Sequence, residues 1–527
     1  MSLSKPAAGP LPVSPRILLC LRALLALLSA TLVLLFLITA LKRLHYPSEY
    51  DWIEDGMLAS VRHVAAGLPL YQAPTVYFTP YLYTPVYLYV AAALAKVVGL
   101  GYPALRLVSI VSTLGCFGVI YGLVFSEVRR HLAAFAAAGL FAACYAATGN
   151  AFDIGRVDML YLFFVLCAFY STRRLNPIVA AIFWILAFQS KQGVLPIALL
   201  ALCYDWQHPR RVLLGLGAFL AGLGGSIFWL NHVSQGWYKY YVFGMAGAFG
   251  YNMQRFVRFL PSDVLSVCGI AVLIIFAAII ATPTATRNPL RSPAFNFYFL
   301  GSLGMIAFTF YIRIHRGANE NSLLPMYAWF AVLFGLALGR LFTQLEANPT
   351  PATRATLATL LLAACTQFFL HIYTPGEFLP LPREFPEREG FLNQVRSIPG
   401  DVLILGHPED GLLAGKTLYA GSESIGAVIE AHNQGPGDAL MRQYSTLLHS
   451  GKLKAVVLDI TAEQFLDHPR VWMPADFLTL YPLRVKAIGA DDGRFTSEPH
   501  WIYLPCSGVA TAIALDPHTD TTACTQR

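Results

Sequence analysis

A chain of 527 residues that is 56% hydrophobic and only 13% charged is no ordinary soluble protein, for soluble domains carry charge on about a quarter of their residues. Its net charge of +7 is no nucleic-acid footprint either, since no basic stripe interleaved with aromatics accompanies it. Apolar stretches long enough to cross a bilayer recur until about Tyr373, which predicts a polytopic α-helical membrane protein.

The first run, Ile17 to Ala40, is too long for a signal-peptide core and has no small-residue cleavage site, so it reads as a retained anchor helix. Arg16 and Arg22 place the N-terminus in the cytoplasm, against a weaker pull from Lys42 and Arg43. The loop 44–84 then groups Glu49, Asp51, Glu54 and Asp55. Like charges beside a low-dielectric phase repel, so such a group needs a reason. The plain alternative is a solvated acidic loop. An amphipathic stretch, Met57 to Gly67, and a Tyr/Pro-rich segment, Tyr71 to Tyr89, complete the loop; tyrosines favour the headgroup boundary. Val86 to Gly99 is short and contains Lys96, which suits an interfacial helix better than a span.

With that choice, spans follow near 104–126, 131–149, 157–171, 177–190, 193–204, 212–231, 263–282, 294–312, 323–342 and 355–373. The loops this order places inside are all basic, as at Arg129-Arg130, Arg173-Arg174 and Arg210-Arg211, so about eleven spans satisfy the positive-inside bias. The C-terminus then lies on the outer face. From Thr374 the composition turns polar, and apolar runs at Val402–Leu405, Ala455–Leu458 and Trp501–Leu504 alternate with helical patterns such as Gly437 to Leu448. That predicts a membrane domain, 1–373, and a small extracytoplasmic α/β domain, 374–527. Gly215, Gly217, Gly222, Gly224 and Gly225 in one apolar helix suggest close helix packing. Seven of the nine cysteines lie in apolar runs as small hydrophobes; Cys506 and Cys524 lie in the polar tail and are a disulfide candidate in an oxidising compartment.

The outward connections gather the groups with chemistry. They carry the acidic cluster, Arg156 and Asp158, Lys191 and Gln192, a long aromatic and basic loop from Asn231 to Ser262, and Arg313, His315, Arg316, Asn319, Glu320 and Asn321. A carboxylate at the membrane–water boundary accepts a proton from an alcohol, and Arg and Lys at neighbouring helix ends hold a phosphate. Together they suit attack by a hydroxyl on a sugar whose leaving group is a lipid-borne phosphate, with the cations stabilising the departing charge. Each residue also has a plainer role. Asp158 suits a helix start, Lys191 can anchor by snorkelling, Arg313 and Arg316 can mark the interface, and Asn319 can cap a helix. His315 has no spaced partner for metal binding, and Trp237, Tyr238, Tyr240 and Tyr241 fit an aromatic belt.

Asp51-x-x-Glu54, then Ala65-Ala66-Gly67-Leu68-Pro69-Leu70-Tyr71 and Tyr83-Thr84-Pro85-Val86-Tyr87, resemble the first outer loop of the GT-C glycosyltransferases, the polyprenyl-phosphate-sugar-dependent membrane enzymes. The aminoarabinose transferases, protein O-mannosyltransferases and Rgt-like galacturonosyltransferases belong to this class. Arg156-Val157-Asp158, Ser190-Lys191-Gln192 and Gly411 to Lys416 resemble further segments of it. The resemblance implies a catalytic base in the first loop and a donor whose lipid tail lies between helices. The spacing departs from the usual Asp-Glu dipeptide, so the base is Asp51, Glu54 or Asp55, in that order of preference, with Glu49 a bystander. Lys191, Arg313 and Arg316 are expected at the donor phosphate, and Arg156, Asp158, Gln192, His315, Asn319 and Asn321 around the substrates. The expected activity is inverting transfer of a sugar to a hydroxyl of a glycolipid, polysaccharide or protein at the outer face of the inner membrane, with Mg or Mn as an optional cofactor. The alternatives are a multi-span transporter and a non-catalytic scaffold with a periplasmic interaction domain; no inverted repeat of the transporter kind is present.

Overall fold

The computed structural model describes residues 13–174, 176–245, 250–281, 292–431, 435–466, 473–489, 499 and 501–525. The chain is a polytopic helical membrane protein with one small mixed sheet. Among the described residues, six helices are long and apolar enough to cross a bilayer unaided: Pro15–Arg43, Tyr102–Val128, Pro209–Val233, Met253–Ala281, Pro293–Arg313 and Glu320–Ala347. Shorter apolar helices, including His131–Ala143, Pro177–Phe188 and Gln192–Leu202, fill the expected positions between them. Proline at the first turn starts several of them, at Pro15, Pro177, Pro209, Pro293 and Pro351, where its missing N–H is no loss.

The long loop expected after Asn231 is largely helical instead. A short helix Trp237–Lys239 runs into a π turn Tyr240–Gly244, and Met253–Arg258 continues through a second π turn, Phe259–Leu265, into the helix Ser266–Ala281. Tyrosine packing outweighs the loop-like composition here. Tyr238 donates to Gln189 Oε1 at 2.9 Å and Tyr241 to the Gln72 carbonyl at 3.1 Å. The glycine-rich helix Pro209–Val233 also differs from expectation. A Cβ on Gly215 or Gly222 would meet a neighbour, but around Gly217, Gly224 and Gly225 there is open space. That side of the helix is exposed.

The sheet has four strands, β1 Asp401–Ile404, β2 Leu453–Leu458, β3 Leu483–Lys486 and β4 Trp501–Leu504, in the order β1-β2-β4-β3, with β1 parallel to β2 and the other pairs antiparallel. Side chains alternate between its faces. Val402, Ile404 and Val457 pack with Phe391 and Val395 of the helix Glu384–Ser397 on one side. Leu403, Val456 and Leu458 join the other core, which also contains Ile53, Met57, Leu58 and Val61 of the first loop. The first loop is therefore sandwiched between the helix bundle and the sheet, and that position sets the site.

Candidate active site

The first loop folds around Glu54. Helix Glu54–Ala65 opens with two carboxylates, which its N-terminal partial charge favours. Glu54 is fully buried and accepts four bonds: from the Tyr50 N–H at 2.7 Å, the Gly155 N–H at 2.5 Å, and Arg106 Nε and Nη2 at 3.1 and 2.9 Å. A carboxylate has about four acceptor positions, and all are used. Arg106, itself buried, also donates to the carbonyls of Tyr46 at 2.6 Å and Arg43 at 3.2 Å, and to that of Ser48. Gly155 has no room for a side chain, because a Cβ would lie 2.8 Å from Leu105 and 3.0 Å from Glu54 Oε1. Glu54 thus fastens the loop to the helix Tyr102–Val128 and keeps no open face for a substrate.

Asp51 occupies the turn before this helix. Its Oδ1 accepts the Ile53 N–H at 3.0 Å, a local bond typical of Asp in turns, and its Oδ2 lies 2.7 Å from Arg156 Nη1. Arg156 Nε in turn lies 3.3 Å from Asp158 Oδ2. Asp158 opens the helix Asp158–Arg173, and its Oδ1 receives Lys191 Nζ at 2.6 Å and Asn321 Nδ2 at 3.0 Å. Five expected residues from four separate segments, Asp51, Arg156, Asp158, Lys191 and Asn321, therefore form one connected cluster. Asp51 and Lys191 keep 17% and 24% of their side-chain surface open, whereas Asp158 keeps 2%. The open ends are a carboxylate and an ammonium, with a buried Arg–Asp link between them.

A second group adjoins through neighbouring residues Glu320 and Asn321. Arg313 pairs with Asp263 at 3.0 Å and Glu320 at 3.1 Å, while its buried Nη1 has no hydrogen-bond partner among the described residues. The remaining expected residues stand apart. Gln192 braces the backbone, donating to the carbonyls of Leu82 at 3.0 Å and Val242 at 3.3 Å. His315 packs between the rings of Tyr251 and Tyr311, 4.6 and 4.9 Å between centroids. Arg316 is exposed, and its backbone N–H donates to the Gly250 carbonyl at 2.8 Å. Asn319 contributes its carbonyl, which accepts from Ser322 Oγ at 2.7 Å. Cys506 and Cys524 form a disulfide.

Asp55 belongs to another cluster. It is buried, bonded to Tyr102 Oη, and accepts the Glu409 N–H at 3.3 Å. Burial, reinforced by the charges of Glu49 and Asp410, pushes its carboxyl well above the usual range. Ligand-type atoms of Glu49, Asp55 and His407 approach one another within 4.8 Å. Both His407 nitrogens face carboxylates, Glu49 and Asp459, an arrangement that favours an imidazolium over a metal ligand there. At Asp51 and Asp158 the positive charge is already supplied by Arg156 and Lys191.

Sequence reasoning missed Arg106, Arg43 and His407. The first two had a signal, since an arginine within or at the end of an apolar run is costly unless paired. Arg43 lies 3.3 Å from the buried Asp153. His407 had none, for its partners are far away in the chain.

This arrangement, a membrane helix bundle whose first loop lies under a small mixed sheet, has a counterpart among solved structures. The chain is similar in structure to ArnT from Cupriavidus metallidurans bound to undecaprenyl phosphate, with 13% identity, a TM-score of 0.54, and coverage of 91% of this chain and 97% of that one. The apo state of the same ArnT gives 14% identity, a TM-score of 0.54 and coverage of 92% and 98%. By sequence, the chain matches no protein-family model and no curated protein.

Proposed function

We propose that the protein is an inverting glycosyltransferase that moves a sugar from a polyprenyl-phosphate donor to an acceptor hydroxyl of a glycolipid, polysaccharide or protein. The observation that carries this reading is the bridge from Asp51 through Arg156 to Asp158 and Lys191, which joins an open carboxylate to an open ammonium. A likeness in fold to a protein bound to undecaprenyl phosphate supports the donor class.

In this reading Asp51 takes the acceptor proton while the acceptor oxygen attacks the anomeric carbon from the face opposite the phosphate. The bond from that carbon to the phosphate oxygen breaks, and polyprenyl phosphate leaves with the electron pair. Its charge is met by Lys191, and we assign Arg313 and Arg316 a further part in binding the phosphate. Arg156 orients Asp51 through a charge-assisted bond. Asp158 and Asn321 hold Lys191 in place. Glu54 is assigned a structural part, and Asp55 is set aside as the base because it is buried and bonded to Tyr102.

The site belongs at the periplasmic face of the inner membrane, with 1–373 as the membrane domain and 374–527 as the extracytoplasmic domain that covers the first loop. The disulfide in the tail supports that side. The test is transfer by the purified protein, in lipid nanodiscs, from a panel of polyprenyl-phosphate sugars, comparing the chain with Asp51→Asn and Lys191→Ala. The reading expects transfer with inversion by the unaltered chain and its loss in the first variant. Undiminished transfer by Asp51→Asn would overturn the assignment.

A further inference from the structure

The carboxyl edge of the parallel pair β1/β2 rests on the first loop. Gly406 and His407 leave that edge just past β1, and Asp459 leaves it just past β2. His407 Nδ1 is bonded to Glu49 Oε1, and its Nε2 lies 3.4 Å from Asp459 Oδ1. A carboxylate bonded at Nδ1 and a second one 3.4 Å from Nε2 both favour the imidazolium. The close approach needs Gly406, where a Cβ would overlap the Asp459 carboxylate.

The rest of the seam is rich in acid. Glu409 and Asp410, on the helix Pro408–Leu413, pair with Arg62 at 2.7 Å and with Arg388 respectively. Asp55 accepts the Glu409 N–H, and Tyr102 donates to Asp55 and, at 3.3 Å, to Glu49. Five carboxyl groups (Glu49, Asp55, Glu409, Asp410 and Asp459) thus face two arginines and His407. The carboxyl groups except Asp459 are buried, and they outnumber the three cations, so the imidazolium offsets part of an excess of acid.

We propose that His407 is a positioning residue: pinned between Glu49 and Asp459, it fixes the first loop against the sheet and so sets the orientation of Asp51. Asp51 lies between two residues of the seam, Glu49 and Asp55, so a shift of either carries it along. The catalytic consequence rests on the reading of Asp51 as base. The clamp itself does not.

The sign of the pH dependence follows from the same groups. Burial opposes the charge on His407, but Glu49 and Asp459 raise its pKa well above the ordinary imidazole value. Its stabilisation is fully present below about 6.5, the unfolded value, and is lost as pH rises through the folded one. Asp55, pushed up by burial and by Glu49 and Asp410, gains charge in the same direction and adds repulsion. Burial would also raise Glu49, yet His407 holds it down to about 2, so Glu49 stays ionised throughout the working range. The clamp therefore weakens toward alkaline pH.

The experiment follows amide exchange of residues 44–56 and transfer from polyprenyl-phosphate sugar between pH 6 and 10, in the full-length chain, His407→Gln and Asp459→Asn. In the unaltered chain, first-loop protection and transfer are expected to fall together on the alkaline side. In His407→Gln the loop is expected to exchange at least tenfold faster at neutral pH, with no alkaline step left. Asp459→Asn, a change that keeps the shape of a side chain 21% exposed, is expected to move the step down by roughly one pH unit, the worth of one nearby charge. An unmoved step in Asp459→Asn, or loop protection that does not change with pH, overturns the proposal. Absence of transfer in every form, with the exchange step present, would instead count against the glycosyltransferase reading and leave the clamp standing.

Discussion

Arg156 holds Asp51 at 2.7 Å with one guanidinium nitrogen while another nitrogen stands 3.3 Å from Asp158. That bridge turns two distant carboxylates into one unit, and it depends on the planar fork of arginine. Arg156→Lys keeps the charge but reaches one carboxylate at a time. Transfer by this variant is expected to fall at least tenfold, with further loss in Arg156→Ala. Steady-state rates in nanodiscs check this, and equal rates in all three proteins would mean the bridge has no part in transfer.

Lys191 is the partly open cation of the cluster. Lys191→Ala would remove the proposed contact to the departing phosphate and leave Asp158 with Arg156 and Asn321. Transfer is expected to fall roughly 10²- to 10³-fold, the scale of losing one charge-stabilising donor. Lys191→Arg is expected to recover part of that. A lysine that only anchors a helix end would leave the rate unmoved in both variants.

The Glu54–Arg106 pair is fully buried, and the two charges compensate each other at 2.9 Å. Arg106→Ala or Glu54→Ala is expected to destabilise the protein by about 3–5 kcal/mol, the usual penalty for orphaning a buried charge. Gly155→Ala, which crowds Leu105 and Glu54, is expected to cost about 1–3 kcal/mol. Thermal unfolding in detergent reads these losses. Equal melting temperatures across the set would show that Glu54 is free for another task.

Much of this arrangement was legible in the sequence, and the exceptions have physical causes. Spans were marked by apolar length, so the helices Tyr102–Val128 and Pro293–Arg313 lie where 104–126 and 294–312 were expected. The convergence of Asp51, Arg156, Asp158 and Lys191 followed from placing the polar connections on one face. The strand Leu483–Lys486 was not foreseen, since four residues alternating between core and water give too short a pattern. Which carboxylate stays open was not legible either. Glu54 and Asp51 differ only in what faces them, Arg106 and Gly155 in one case and Arg156 in the other, and all three partners are far away in the chain.

The disulfide Cys506–Cys524 closes a loop of sequence separation 18 at the end of the tail. Breaking it in Cys506→Ser with Cys524→Ser is expected to cost the tail about 3 kcal/mol under the loop-entropy account. In cells, the two thiols of the unaltered chain are expected to resist maleimide unless a reductant is added first. Ready labelling without reductant would place the tail in a reducing compartment and reverse the proposed orientation.

The most direct test of the account is the rate of sugar transfer from a polyprenyl-phosphate donor by Asp51→Asn, measured beside the unaltered protein in the same nanodiscs. The substitution keeps the shape and the turn and removes only the proton acceptor, so the account predicts a drop of about 10²- to 10⁴-fold with the fold intact. Transfer by Asp51→Asn at the rate of the unaltered protein would contradict it.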